Sequence, residues 1–277
     1  VSLLGFCFGA CIGVPLGVVM AWWEPMDTTL RPVLAETVGE FDNLTIHFAD
    51  AMKMDLPALV QAEFPGLTPA ACANLPYYIT SPVLTRLLES RCFSAVTVMV
   101  QKEVADRMAA AVGTKNYGAY TVKLGLHAEP AGRFPVGPGN FFPPPRVDSA
   151  VIRLNRRVPL MADGAPATPE VIAAAALVAD AAFANRRKTI ANSCKTYFSG
   201  RGSLLLGASG SSAGLRAVDG ALSGGVGGAF VLDGADIVDH LPAIFDAAAI
   251  DPRRRGETLT QQEFLALGAA LLKEATV

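Results

Sequence analysis

From Val18 onward, short apolar runs alternate with stretches of helical spacing, and this alternation constrains the fold more than any other feature. "VVMAW", "LTIHFAD" and "SAVTVMVQ" have the length and composition of strands. "TTLRPVLAETVGEF", "SPVLTRLLES" and "KEVADRMAAA" carry apolar residues at helical intervals. Strands that alternate with helices bury both by lying side by side, mostly parallel, with helices over both faces. "SAVIRLNRR" alternates and reads as a late strand, while "YGAYTVKLGLHA" fits either helix or strand. Ser81 is expected to cap the helix of "SPVLTRLLES", with Pro82 at its first position, where a missing N–H costs nothing.

The character changes after Pro159. "TPEVIAAAALVADAAFANRRKTIANSCKTYF" is Ala-rich and helical, opened by Thr168–Pro169–Glu170. Two more helical stretches close the chain, the second bearing a capping-box spacing of Thr260 and Glu263. The Gly/Ser-rich stretch ahead of these two, about 199–232, is expected to be a flexible insert. The domain reading is therefore an atypical apolar segment at 1–23, an α/β domain at 24–158 and a small all-helical domain at 159–277.

With 51% hydrophobic residues the chain can build a substantial core, and its net charge of -2 argues against a uniformly basic nucleic-acid binder. Any phosphate-binding face must be local. Arg153/Arg156/Arg157, Arg186–Arg187–Lys188 with Lys195, and Arg253–Arg254–Arg255 are the candidates, and each also fits a solvated surface. The five scattered cysteines form no disulfide framework, and the three histidines stand apart, so neither a metal site nor an oxidising compartment is expected.

In an open parallel sheet, ligands gather at the carboxyl ends of the strands. Here the first strand ends at Glu24, the second at Asp50 and a short third at Asn74. One acid can accept both hydroxyls of a ribose and the next can accept from an adenine amine, so the set suits an adenosine-containing cofactor. The plainer reading makes Glu24 and Asp50 helix caps or turn residues. "NLPY" sharpens the case. The Asn74 side-chain oxygen and the Leu75 carbonyl can accept both hydrogens of an exocyclic amine. Pro76 fixes the path between them, and Tyr77 can stack on the base. Two such acceptors localise the nitrogen lone pair for attack on an electrophilic methyl, by positioning rather than by a strong base.

Over about Val18 to Lys273, the insert apart, the chain resembles the KsgA-type small-subunit rRNA adenine dimethyltransferases. The resemblance rests on "NLPYYITSPVLTRLLE", "VMVQKEVADRMAA" with "GTKNYGAYTVKLGL", "FFPPPRVDSAVIRL", "FANRRKTIANS" and "IDPRRRGETLTQQEFLAL". It implies a Rossmann-like methyltransferase sheet followed by a helical domain, S-adenosylmethionine as methyl donor, and two adjacent adenines of the 3′-terminal 16S rRNA hairpin as substrate. By position, Glu24 would hold the cofactor ribose, and Asp50, with the Ala51 backbone, its adenine. Asn74, Leu75, Pro76 and Tyr77 would form the target-base site. Phe141 would be a second aromatic over the extruded base. Arg186, Arg187, Lys188, Lys195, Arg253, Arg254 and Arg255 would meet rRNA phosphates. A cytoplasmic monomer acting on immature small subunits is implied. The rivals are a related 23S rRNA adenine methyltransferase and a non-catalytic small-subunit assembly factor.

The chain departs from that family in one respect. The Gly-rich loop GxGxGxLT, which in the family precedes the position of Glu24, is absent from this sequence. In its place stands "VSLLGFCFGACIGVPLGVVMAWW", uncharged over residues 1–23, with Gly5, Gly9, Gly13 and Gly17 at every fourth position. It has the length of a membrane span, but Pro15 and the lack of a basic flank oppose that reading. A truncated or misread start is expected, ahead of a diverged, poorly cofactor-binding variant and of a membrane anchor.

Overall fold

The computed structural model describes residues 36–37, 41, 43–142, 144–206 and 230–275. The "VVMAW" run, most of "TTLRPVLAETVGEF", the apolar segment 1–23 and the centre of the Gly/Ser-rich insert lie outside the described residues. The described chain divides into two compact units. One comprises residues up to Ala105 together with Pro130–Arg156, and the other Asp106–Glu129 together with residues from Arg157 on.

Among the described residues the first unit holds a four-stranded sheet in the order β1-β2-β4-β3. Its strands are β1 (Ala71–Asn74), β2 (Ala95–Gln101), β3 (Ala128–Val136) and β4 (Ser149–Arg156). β2 is apolar nearly throughout because it has neighbours on both sides and is covered. It pairs in parallel with β1, Asn74 lying opposite Met99, and antiparallel with β4, Gln101 lying opposite Ser149. The described part of the sheet is thus mixed, and the "VVMAW" run of the mostly parallel sheet expected from strand–helix alternation lies outside the described residues. "LTIHFAD" forms no strand among the described residues; the run before it lies outside them, and a strand exists only through its ladder.

β3 is a strand the sequence conceals. "AEPAGRFPV" holds two prolines, which cannot donate to a ladder. It is tolerated because β3 lies at an end of the described sheet and is mostly exposed. Prolines and Arg133 there also blunt an edge that could otherwise template aggregation.

Helix α1 (Leu56–Glu63) follows the Asp50 turn and is capped by Asp55, whose Oδ1 accepts from the Ala58 N–H at 3.1 Å. Helix α2 (Thr80–Glu89) joins β1 to β2 and buries Val83, Leu84, Leu87 and Leu88. It begins two residues earlier than Ser81 capping predicts, with Ile79 rather than Ser81 at the cap position. The Ile79 N–H and the Thr80 hydroxyl both donate to the Pro76 carbonyl, at 3.1 and 3.0 Å, so the turn after Asn74 runs straight into the helix. Pro82 still lies in the first turn, where no intrahelical donor is lost. Helix α3 (Lys102–Met108) starts directly after β2.

The second unit is mainly helical: α4 (Ala119–Gly125), α5 (Pro169–Phe183), α6 (Ile190–Ser199), α7 (Gly234–Ala247) and α8 (Gln261–Ala275). "YGAYTVKLGLHA" is therefore helical. The Thr168 and Thr260 starts hold as read: the Thr168 hydroxyl accepts from the Val171 N–H, and Thr260 and Glu263 exchange backbone-to-side-chain bonds at 2.7 and 3.2 Å. A two-stranded antiparallel sheet, β5 (Ser203–Leu206) with β6 (Phe230–Asp233), adds to the helices within the stretch read as a featureless insert. Buried Leu204 and Leu232 anchor it in the helical core.

Residues 106–129 belong to this unit rather than to the sheet domain that precedes Pro159 in sequence. Tyr117 explains why. Its ring is buried edge-on to Phe183, and its hydroxyl donates to the Leu259 carbonyl at 2.8 Å, 142 residues away in sequence. Burial first, and the nearby Glu263 charge second, push its pKa up to about 12. Close approach of α5 and α8 depends on Gly268, where an added Cβ would stand 2.6 Å from the Ala175 nitrogen and 2.8 Å from the Val171 carbonyl oxygen.

Candidate active site and nucleic-acid interface

Asn74 is the last residue of β1, at the carboxyl end of a parallel pair, where open sheets place their ligands. Asn74 and Cys72 share the exposed face of the strand, and Leu75 turns inward. The Pro76 carbonyl is consumed by α2, as described. Among the described residues the Asn74 side-chain amide has no hydrogen-bond partner and the Leu75 carbonyl accepts from none. Two acceptors are therefore left open beside each other on a turn that is itself fixed.

Tyr77 stands on this turn and is 44% exposed. Its hydroxyl is 3.1 Å from the Ser149 Oγ. Ser149 opens β4, and because β4 runs antiparallel to β2, its first residue lies at the same sheet end as Asn74. The Lys102 N–H, donating to the Asp148 carbonyl at 2.9 Å, closes that corner. Thus "NLPYY" and "VDSAV" meet in space, and the buried serine hydroxyl holds an exposed aromatic face. Ser149 borders the candidate site, and the sequence reading passes over it. Its only signal is its place inside the "VDSAV" motif.

Phe141 follows the single helical turn Pro138–Asn140 and is half-buried, stacking on no described ring. Its neighbour Phe142 is the more available aromatic, at 83% exposure.

Asp50 begins a turn that it stabilises itself. Its Oδ1 accepts from the Met52 N–H at 2.8 Å, and its carbonyl accepts from Lys53 and Met54 at 2.9 and 3.0 Å. The turn role weighed in the sequence is therefore real. It does not use up the residue: Oδ2 has only the exposed Lys53 ammonium at 3.8 Å, and the Ala51 N–H donates to no described group. A carboxylate oxygen next to a free N–H matches the amino donor and ring-nitrogen acceptor of an adenine edge. Glu24 lies outside the described residues.

The basic residues divide into two groups. Arg186 donates to the Lys115 carbonyl at 2.9 Å, the Tyr117 carbonyl at 3.1 Å and Glu257 at 3.3 Å. Arg254 grips Glu263 with both terminal nitrogens and the Thr258 carbonyl at 2.6 Å. Arg253 pairs with Asp251 at 3.1 Å on the surface, and its hydrogen bonds hold the Asp251 carboxyl below the usual carboxylate range. Arg186 and Arg254 are thus committed within the unit, and Arg253 is paired with a carboxylate at its surface. Arg187, Lys188, Lys195 and Arg255 are exposed and have no partner among the described residues.

Helix α6 brings the two basic stretches together. Its first N–H groups, of Ile190 and Ala191, donate to the Arg254 and Pro252 carbonyls at 2.7 and 3.3 Å. Ser193, fully buried, donates to the Ala181 carbonyl at 2.6 Å and accepts from the Asn185 N–H at 3.1 Å, which fixes the turn bearing Arg186–Lys188. Burial satisfied in this way stabilises by about 0.5–1.5 kcal/mol per bond. Among the described residues no cluster of His, Cys, Asp and Glu could hold a metal ion, and no helix is long and apolar enough to cross a membrane.

The fold has counterparts among solved structures. A dimethyladenosine transferase from Plasmodium falciparum superposes with a TM-score of 0.60 at 20% identity, covering 93% of this chain and 82% of that one. The 23S rRNA methyltransferase ErmE superposes with a TM-score of 0.51 at 18% identity, covering 92% and 81%. Both define a methyltransferase-type fold. In sequence, the family model "Ribosomal RNA adenine dimethylase" matches residues 24–207, a span holding both the NLPY turn and the 186–188 turn. The "Ribosomal RNA small subunit methyltransferase A" proteins of Shouchella clausii and Geobacillus thermodenitrificans are 38% and 35% identical, over 89% of this chain and 71% and 72% of their own lengths. The chain belongs to the ribosomal RNA adenine dimethylase family.

Proposed function

We propose that the chain dimethylates the N6 amines of two adjacent adenines in the 3′-terminal hairpin of 16S rRNA, on immature small subunits in the cytoplasm. The observation that carries this reading is the pair of open acceptors at Asn74 and Leu75 beside a Tyr77 ring fixed by Ser149. An extruded adenine offers an amine with two hydrogens and a flat face, and this turn offers two acceptors and a flat face in return. The names of the relatives place their activity on small-subunit RNA.

S-adenosylmethionine, when bound, supplies an electrophilic methyl carbon. The residues of this chain do the rest. Asp50 and the Ala51 N–H hold the adenine of the cofactor, with Glu24 at its ribose. Asn74 and Leu75 draw the target amine toward a tetrahedral arrangement, so that its lone pair points rather than conjugates. Tyr77, with Phe141 on the opposite side, keeps the base out of its helix. Arg187, Lys188, Lys195 and Arg255 meet the phosphates.

Expression in a strain lacking its own small-subunit dimethyltransferase, followed by primer extension across both large rRNAs, tests the proposal. Stops at two neighbouring adenines near the 16S 3′ end are expected. Stops in 23S rRNA, or binding to immature subunits with no methyl transfer, would replace this reading with one of its rivals.

A further inference from the structure

Arg86 lies on α2, six residues beyond Thr80, and its side chain is half-buried. Its Nη2 donates to the Met54 carbonyl, across 32 residues of sequence. Met54 is the last residue of the Asp50 turn: its N–H donates back to the Asp50 carbonyl at 3.0 Å. The other end of α2 is tied to the target-base turn through Thr80 and Pro76. One helix therefore carries both attachments. Six residues of α-helix span roughly 9 Å, and a helix does not stretch.

Among the described residues Arg86 supplies the side-chain bond from α2 to this turn, while His47, ahead of the turn, pairs with Glu63 of α1 at 3.2 Å. Residues 44–48 form no ladder that would fix the Asp50 turn to the sheet. Within the turn, the bonds of Asp50 to Met52, Lys53 and Met54 set its shape but not its place. The Arg86 Nε is buried without a partner, so the guanidinium is retained at a cost in desolvation. An apolar residue would cover the same surface without that cost.

We propose that Arg86 is a positioning residue that fixes the Asp50 turn to α2, holding the cofactor-side groups of Asp50 and Ala51 in register with Asn74–Tyr77. It touches neither substrate nor cofactor. This inference rests on the reading of Asp50 and Asn74 given above.

The test uses the full chain with Arg86→Met, which keeps the apolar stem, and Arg86→Lys, which keeps a charged donor. Hydrogen exchange without any ligand reads the turn directly. In Arg86→Met, exchange at Lys53 and Met54 should rise about tenfold or more, the effect of losing one charge-assisted bond, with β2 unchanged. S-adenosylhomocysteine affinity should fall by a comparable factor. KM for S-adenosylmethionine should rise while kcat at saturation and RNA affinity stay within about threefold, and Arg86→Lys should recover much of each loss. Unchanged exchange at 53–54 overturns the proposal. So does loss of protection throughout α2 and β2, or failure of both variants to fold, since each marks a purely structural residue. If the wild-type chain itself binds no S-adenosylhomocysteine, the cofactor reading fails, and the exchange measurement still decides whether Arg86 fixes the turn.

Discussion

The two units use polar residues in opposite ways. In the sheet unit the candidate site groups are left open: among the described residues Asn74, the Leu75 carbonyl, the Ala51 N–H and one Asp50 oxygen have no strong partner. The surrounding bonds, Tyr77 to Ser149 and Thr80 to Pro76, hold those groups still without occupying them. In the helical unit the polar groups bond to one another. Arg186, Arg254, Ser193, Glu263 and Tyr117 have internal partners, and among the residues read as phosphate contacts the open charge falls to Arg187, Lys188, Lys195 and Arg255. A site that must receive a neutral base needs open acceptors. A surface that must bind phosphates needs cations standing clear of carboxylates, and a scaffold that keeps them there.

The comparison is open to attack at four points. The largest effect is expected in the sheet unit. Asn74→Ala should lower turnover at least about a hundredfold, the scale of removing one oriented electrostatic group, with folding and RNA affinity preserved. Near-normal turnover would remove the base-gripping role. Next, neutralising Arg187, Lys188, Lys195 and Arg255 together should lower the magnitude of the salt slope of RNA binding by about three. Neutralising Arg186, Arg253 and Arg254 instead should cost stability while leaving more of the slope in place. Equal slopes for the two sets would erase the division between scaffold and contact residues.

The third prediction concerns packing. Gly268→Ala puts a methyl group into backbone of α5 and should destabilise the helical unit by about 1–3 kcal/mol, measured by denaturant unfolding. The smallest effect is electrostatic. Desolvation acts to raise the Glu263 pKa, but bonds from Arg254 and from the Thr260 N–H and hydroxyl outweigh it and hold the carboxyl below its ordinary 4.5. A folded pKa below the unfolded one gives stability that is present above the ordinary value and lost as pH falls through the folded value. Glu263→Gln should therefore flatten the loss of stability below about pH 4.5. An unaltered acid limb would detach Glu263 from the scaffold.

What the sequence disclosed was local. Helix starts at Thr168 and Thr260 are legible because a cap and its partner lie three residues apart. Asn74 at a strand end is legible because the short apolar run and the Pro76 that stops it are adjacent in sequence. What it concealed was held by distant partners. Nothing near Tyr117 points to Leu259, and nothing near Ser149 points to Tyr77. The β3 strand was hidden because its prolines are harmful in a central strand and harmless at an edge. β5 and β6 flank glycine- and serine-rich sequence that masks two short apolar runs. The basic residues could be counted but not sorted, since a free arginine and a committed one read alike.

The link between Tyr77 and Ser149 also has a consequence in time. The two residues are 72 positions apart in the chain. At roughly 5–20 residues per second of synthesis, the second emerges about 4–14 s after the first. Through that interval the turn that bears Tyr77 exists without its anchor. A nascent chain displays the NLPY motif well before the serine that fixes its aromatic ring.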